Sequence, residues 1–350
     1  THLYILLRKS LDKRPTEAYG HIAEYMAGTL VAIIVLAVAF LSLATGSAPV
    51  AVLPGLSDWL LGINSPAAMV IGDIRLPRTL LSLTVGASLG LSGAALQGLL
   101  RNPLADPSLT GASQGAALGA AAVFYFGLFP FAGEVAPALA GLLGAGVALL
   151  LMLGLAGSAR SSMVIMAGLA ISTLTGAALA AVLNFAPNPF AMQELVFWLL
   201  GSVSERSLGH LVFLLPALIV GGVLIWGQRH LLVALSLGEQ VAQSLGLAVV
   251  RGSRLIVLGV ALLVGASVAI AGNIGFVGLL VPHLVRPLVG HRPDRLLLPS
   301  ALFGAVLVGL ADICVRLLPP GREIKLGVLT SLLGMPLFIW LIWKDRQRWL

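Results

Sequence analysis

Apolar residues along this chain come in runs of about twenty, separated by short stretches where charge, proline and glycine concentrate. A helix rises roughly 1.5 Å per residue, so such a run matches the hydrocarbon thickness of a bilayer. Splitting the runs at charges and Pro/Gly clusters predicts ten helices, over 27–46, 79–100, 110–129, 135–156, 162–183, 208–227, 254–272, 276–290, 296–316 and 326–343. A further apolar stretch, Glu194 to Val203, is too short to cross and predicts a re-entrant or surface helix. The pattern therefore predicts an all-α membrane protein, with residues 1–350 forming a single transmembrane domain.

Composition sharpens this picture. Hydrophobic residues make up 58% of the chain and charged residues only 10%, whereas a soluble domain carries about a quarter charged residues. The net charge of +7 sits in short clusters between apolar runs. It forms no continuous basic face, which argues against nucleic acid and for a lipid bilayer with basic loops on one side.

Arg8, Lys9, Lys13 and Arg14 precede the first run, so the N-terminal segment 1–26 is expected in the cytoplasm, followed by an uncleaved first helix. Ten crossings then return the C-terminus to the same side. Of the 21 Lys and Arg residues, this orientation leaves only Arg75, Arg78, Arg206, Arg316, Arg322 and Lys325 outside, as the positive-inside rule requires.

Residues 86–111 and 265–290 align without gaps. Gly86-Ala87-Ser88 matches Gly265-Ala266-Ser267, and Gly93, Leu100, Pro103 and Gly111 match Gly272, Leu279, Pro282 and Gly290. The first copy begins running inward and the second outward, the pattern of an inverted repeat, common among transporters. Gly111, Gly115 and Gly119 recur at the four-residue spacing that lets helix backbones approach closely in lipid.

Several chemistries are missing. Cys314 is the one cysteine, which leaves no intrachain disulfide and no cysteine metal site. The six histidines form no HxxxH pair, so no protein-held metal is expected. There is no GxxxxGK[ST] loop for ATP, and neither GxSxG nor HExxH occurs; no catalytic residue is expected. Asp312 is the main acid deep in an apolar run, four residues before Arg316, and the spacing predicts an intrahelical pair. A proton- or ion-coupled secondary transporter would need more such acids. The segment 229–254 is the longest expected cytoplasmic loop. Within it Leu237-Gly238-Glu239-Gln240-Val241-Ala242-Gln243-Ser244-Leu245-Gly246 is polar, helix-capable and bounded by glycine.

In order along the chain come Arg75-Leu76-Pro77-Arg78; Gly93 with Gln97; Arg101-Asn102-Pro103-Leu104-Ala105 with Pro107 and Gly111; Trp198-Leu199-Leu200-Gly201; Leu237-Gly238-Glu239 with Gly246; Gly275-Phe276-Val277-Gly278 with Pro282-His283 and Arg286; Asp312 with Arg316; and Leu326-Gly327-Val328-Leu329-Thr330 with Gly334-Met335-Pro336. In this series, from about residue 25 to 345, the chain resembles the FecCD-type permeases, the bacterial inner-membrane subunits of ABC importers for ferric siderophores, haem and cobalamin.

The resemblance implies the type II ABC importer fold and a homodimer of ten-helix subunits. Two cytoplasmic ATPases, which hold the ATP, would bind below, and a periplasmic substrate-binding protein would dock above. It implies docking roles for Arg75, Arg78 and Arg316. It also implies an ATPase-coupling role for Leu237, Gly238, Glu239, Gln240, Ala242, Leu245 and Gly246. Gln97, Asn102 and His283 are expected in a polar network or beside the substrate path. No permanently bound cofactor is implied; the cargo leans to haem or another iron chelate, with ferric siderophore and cobalamin as alternatives. One departure stands out: where many members read Glu-Leu-Pro, this chain reads Glu323-Ile324-Lys325.

Overall fold

The computed structural model describes residues 29–157, 161–186, 189–289, 291–318 and 324–349. The expected cytoplasmic segment 1–26, Arg322 and Glu323 lie outside the described residues. The elements are helices α1 (Thr29–Ala44), α2 (Val52–Leu60), α3 (Pro66–Leu100), α4 (Ala112–Phe126), α5 (Ala136–Ala156), α6 (Ser161–Asn184) and α7 (Pro189–Leu199). They continue with α8 (Leu208–Gly227), α9 (Arg229–Ser236), α10 (Glu239–Ser244), α11 (Val249–Ala271), α12 (Val277–Val285), α13 (Pro293–Arg316) and α14 (Leu326–Trp349).

Each of the ten expected spans corresponds to a helix. Six are long and apolar enough to cross a membrane: α3, α5, α6, α8, α11 and α13. Helices α1, α4, α12 with its 3-10 extension to Leu288, and the apolar part of α14 are shorter. The short apolar stretch expected near Glu194 is α7, which buries Leu195 and Trp198. The amphipathic α2 was not predicted, because its nine residues are too few to register as an apolar run.

Two boundaries differ from expectation. The helix predicted to begin at residue 79 begins at Pro66, where Ser65 accepts a hydrogen bond from Ala68 N at 3.1 Å and proline occupies the first turn. The expected start followed from splitting the apolar run at the charges and proline of Arg75-Leu76-Pro77-Arg78, and proline cannot donate a backbone hydrogen bond. The chain passes it through a π-helical stretch, Val70–Arg75, whose wider turn accommodates the missing donor. Arg75 and Arg78 are therefore inside a helix rather than in an external loop. Likewise α11 begins at Val249, which places Arg251 and Arg254 inside it and shortens the expected loop.

Among the long spans α3, which carries the first copy of the repeat, and α11, whose last turns open the second before it continues through α12, are the most buried, while α6 and α8 face outward. Packing at the centre is backbone on backbone. A Cβ on Gly86 would fall 2.2 Å from Gly304 O, and one on Gly115 would fall 2.6 Å from Gly144 O. Only glycine permits these approaches of α3 to α13 and of α4 to α5. The aligned glycines of the repeat do different work. Gly93 lies mid-helix against Gly278 O, whereas Gly272 adopts φ +70° and ends α11.

Candidate functional site

The three arginines expected at the outer surface converge on one place. Arg75 donates from Nη1 to Leu43 O at 2.8 Å and Ala44 O at 3.2 Å, and from Nη2 to Ala48 O at 2.5 Å. Arg316 donates to Ser42 O at 2.8 Å and Thr45 O at 3.0 Å. Both guanidinium groups thus satisfy the last carbonyls of α1, where unpaired acceptors and the negative end of the helix dipole coincide. Asp312, 1% exposed, lies between Arg78 Nε at 2.9 Å and Arg316 Nη2 at 2.9 Å. The pair expected between Asp312 and Arg316 is present; its second partner, Arg78, comes from a helix far away in sequence. Ser42 Oγ and Thr79 Oγ1, 2.7 Å apart, complete the joint.

This geometry departs from a simple picture of free outer charges. Arg75 is 4% exposed and its donors go to its own chain. The Arg78 and Arg316 side chains are 18% and 8% exposed. Of the three, Arg78 is the most exposed.

At the other end of the same helices lies the glycine-bounded segment. Gly98, near the end of α3, sits beside Leu232 of α9 and Pro293, the first residue of α13. The 24 residues of α13 span roughly 36 Å at 1.5 Å per residue, which separates Arg316 from this region by about one bilayer core. Gly238 (φ +117°) and Gly246 (φ +78°) turn the chain on either side of α10. Ala242 is buried, anchoring α10 beneath the bundle, while Leu237 and Leu245 are 66% and 63% exposed and Val241 is also exposed. Gln240 is exposed beside them, and Glu239 is half-buried. The short helix and the residues that flank it thus turn apolar side chains outward.

The remaining polar candidates separate. Gln97, 2% exposed, donates from Nε2 to Leu279 O at 3.2 Å and accepts from Arg286 Nη2 at 2.7 Å. It ties α3 to α12. His283 is half-buried on α12. Asn102 is not in this network: it is exposed in the turn after α3, where its Oδ1 accepts from Leu104 N at 2.9 Å.

Among the cavities formed by the described residues, two share part of their walls. One, of about 900 Å³, is an apolar groove with Leu199, Leu200, Phe276, Met335, Trp340 and Trp343 in its walls. The other, of about 480 Å³, is more polar and includes Asp106, Ser108, Ser113 and Gln114. Asn273, Phe276 and Ser331 line both. The turn that carries Asn273 is pinched by two other segments. A Cβ on Gly201 would lie 2.5 Å from Asn273 O, and one on Gly327 would lie 2.2 Å from the same atom. Phe276 adopts φ +67° there. Sequence reasoning passed over Asn273 and Phe276 as cavity residues; the glycines around them, Gly201, Gly272, Gly275 and Gly327, were the available signal.

A bundle of apolar helices with cavities among them is the architecture of a multi-pass membrane transport permease. Residues 33–344 match the FecCD transport family, and the chain belongs to it, as a permease of the ABC importer class. It is 39% identical over 322 residues to the vitamin B12 import system permease protein BtuC of Salmonella paratyphi A, covering 90% of this chain and 94% of that one. Identity to the same protein of Salmonella typhi is 38% over 322 residues. Among solved structures it is similar to an inward-facing conformation of a metal-chelate type ABC transporter, at 31% identity and a TM-score of 0.76, covering 91% of this chain and 99% of that one.

Proposed function

We propose that two copies of this chain form the membrane pathway of an ATP-driven importer that moves a metal chelate, haem or another iron chelate, from the periplasm to the cytoplasm. The observation that carries this reading is the placement of the two surfaces. The arginine cluster and α10 occupy opposite ends of α3 and α13, so one chain can engage an outer and an inner partner at once. On the inner side, α10 and its exposed Leu237 and Leu245 seat in a cleft of an ATPase subunit, and rigid-body motion there reaches the bundle. On the outer side, the basic cluster guides an acidic face of a substrate-binding protein into register. Both termini lie in the cytoplasm, in keeping with the bias of Lys and Arg, and the membrane is the bacterial inner membrane.

Cobalamin is the second reading, favoured by the vitamin B12 permeases among the relatives. Proteoliposomes holding the permease, its ATPase and its binding protein separate the two. The expected result is ATP-dependent accumulation of haem. Accumulation of cobalamin alone would favour the second reading, and uptake indifferent to ATP would refute both.

A further inference from the structure

The apolar groove has one unusual neighbour. Lys325 stands just before α14, two residues ahead of Gly327 in the groove wall. Its Nζ lies over the ring of Phe197, 5.8 Å from the centroid. Phe197 is on α7, two residues ahead of Leu199, which also lines the groove. Phe197 and Lys325 also each stand three residues ahead of a lining residue, Leu200 and Val328, a spacing that shares a helix face, so the ammonium over the ring is placed beside the edge of the groove rather than in its lining.

The lining itself carries no charged side chain, and its polar side chains are those of Asn273 and Ser331. Such walls suit the flat apolar body of a large chelate, through the two indoles and Phe276. They do not suit a carboxylate, which enters an apolar site only with a counter-charge. A lysine ammonium over an exposed ring is weakly held and mobile. Exchanging the ring for a carboxylate gives it a charge-assisted hydrogen bond instead.

We propose that Lys325 is a specificity residue: it receives the carboxylate edge of an amphipathic chelate whose apolar body lies in the groove. The proposal rests on the reading of this chain as a metal-chelate permease. It commits the groove to a carboxylate-bearing macrocycle rather than to an uncharged chelate, a lipid tail or permanent filling by the second copy.

The test titrates the permease–ATPase complex in nanodiscs with ferric haem and with its dimethyl ester, following quenching of tryptophan fluorescence and subtracting empty nanodiscs. Haem is expected to bind wild type more tightly than its diester. Lys325→Met is expected to weaken haem binding about tenfold, the loss of one charge-assisted contact, and to leave diester binding unchanged. Lys325→Arg retains the preference. Equal loss for both ligands, or no loss for either, overturns the role of Lys325. Parallel uptake in proteoliposomes tests the underlying reading: wild type that imports no metal chelate overturns that reading and this inference with it.

Discussion

Arg78 donates from Nε to both carboxylate oxygens of Asp312, at 2.9 and 3.2 Å, across the seam between α3 and α13. The two residues are 234 positions apart, and the pair closes one end of the seam whose middle is closed by Gly86 and Gly304. Asp312→Asn leaves Arg78 and Arg316 without their shared counter-ion. Removing one partner of a buried pair costs about 3–5 kcal/mol. The expected outcome is a clear drop in the thermal unfolding midpoint of the purified permease in detergent; an unchanged midpoint would mean the arginines are satisfied without Asp312.

Glycine at the seam is a steric requirement. A Cβ on Gly304 falls 2.2 Å from Gly86 O, a backbone atom that cannot yield without parting the helices. Gly304→Ala is expected to destabilise by about 1–3 kcal/mol and to lower the yield of folded protein. A Cβ on Gly146 of α5 would meet no neighbouring element within 4 Å among the described residues, so Gly146→Ala is expected to be neutral or to stabilise by up to about 1 kcal/mol. Thermal scans of the two variants side by side check the contrast.

The exposed leucines flanking α10 lend themselves to a clean separation of folding from binding. Both side chains are more than half exposed, so Leu237→Asp with Leu245→Asp is expected to leave the unfolding free energy within about 0.5 kcal/mol of wild type, the usual range for surface changes. Affinity for the ATPase subunit is expected to fall at least about tenfold, since apolar anchors at an interface centre commonly carry more than 1.4 kcal/mol. Equilibrium binding of the isolated ATPase to nanodisc-held permease measures it, and unaltered affinity would remove α10 from the interface.

Outer docking should divide the arginines by exposure. Arg75→Ala is expected to loosen the end of α1 and lower stability while changing binding-protein affinity little, because its donors are spent on Leu43, Ala44 and Ala48. Arg78→Gln is expected to slow association several-fold, and the wild-type association rate should fall as salt rises, as for steering by rim charges. Stopped-flow association at two ionic strengths distinguishes these cases. A salt-independent rate would count against electrostatic docking.

Much of this fold was legible because lipid imposes a coarse rule: a spanning helix must be apolar for about twenty residues. That rule placed α8 at Leu208–Gly227, matching its expected bounds, and α5 to within a residue. It failed where the signal was local geometry. Pro77 reads as a helix boundary in sequence, and only the π-helical stretch before it shows why the helix runs through. Asn102 was grouped with Gln97 and His283 as a polar group in or beside an apolar helix, but Arg101 turns the chain with φ +50° and sends Asn102 outside. The spacing of Asp312 and Arg316 revealed their pairing, since i and i+4 share a helix face. The third member, Arg78, was invisible because nothing along a chain records which helices become neighbours.

The turn that carries Asn273 and Phe276 lines both the groove and the polar cavity. It is gripped by Gly201 and Gly327, whose missing side chains let Asn273 O approach both. A wall segment common to two chambers cannot move without reshaping both. Because its grips belong to α14 and to the segment after α7, any tilt of those elements is felt at once in both chambers.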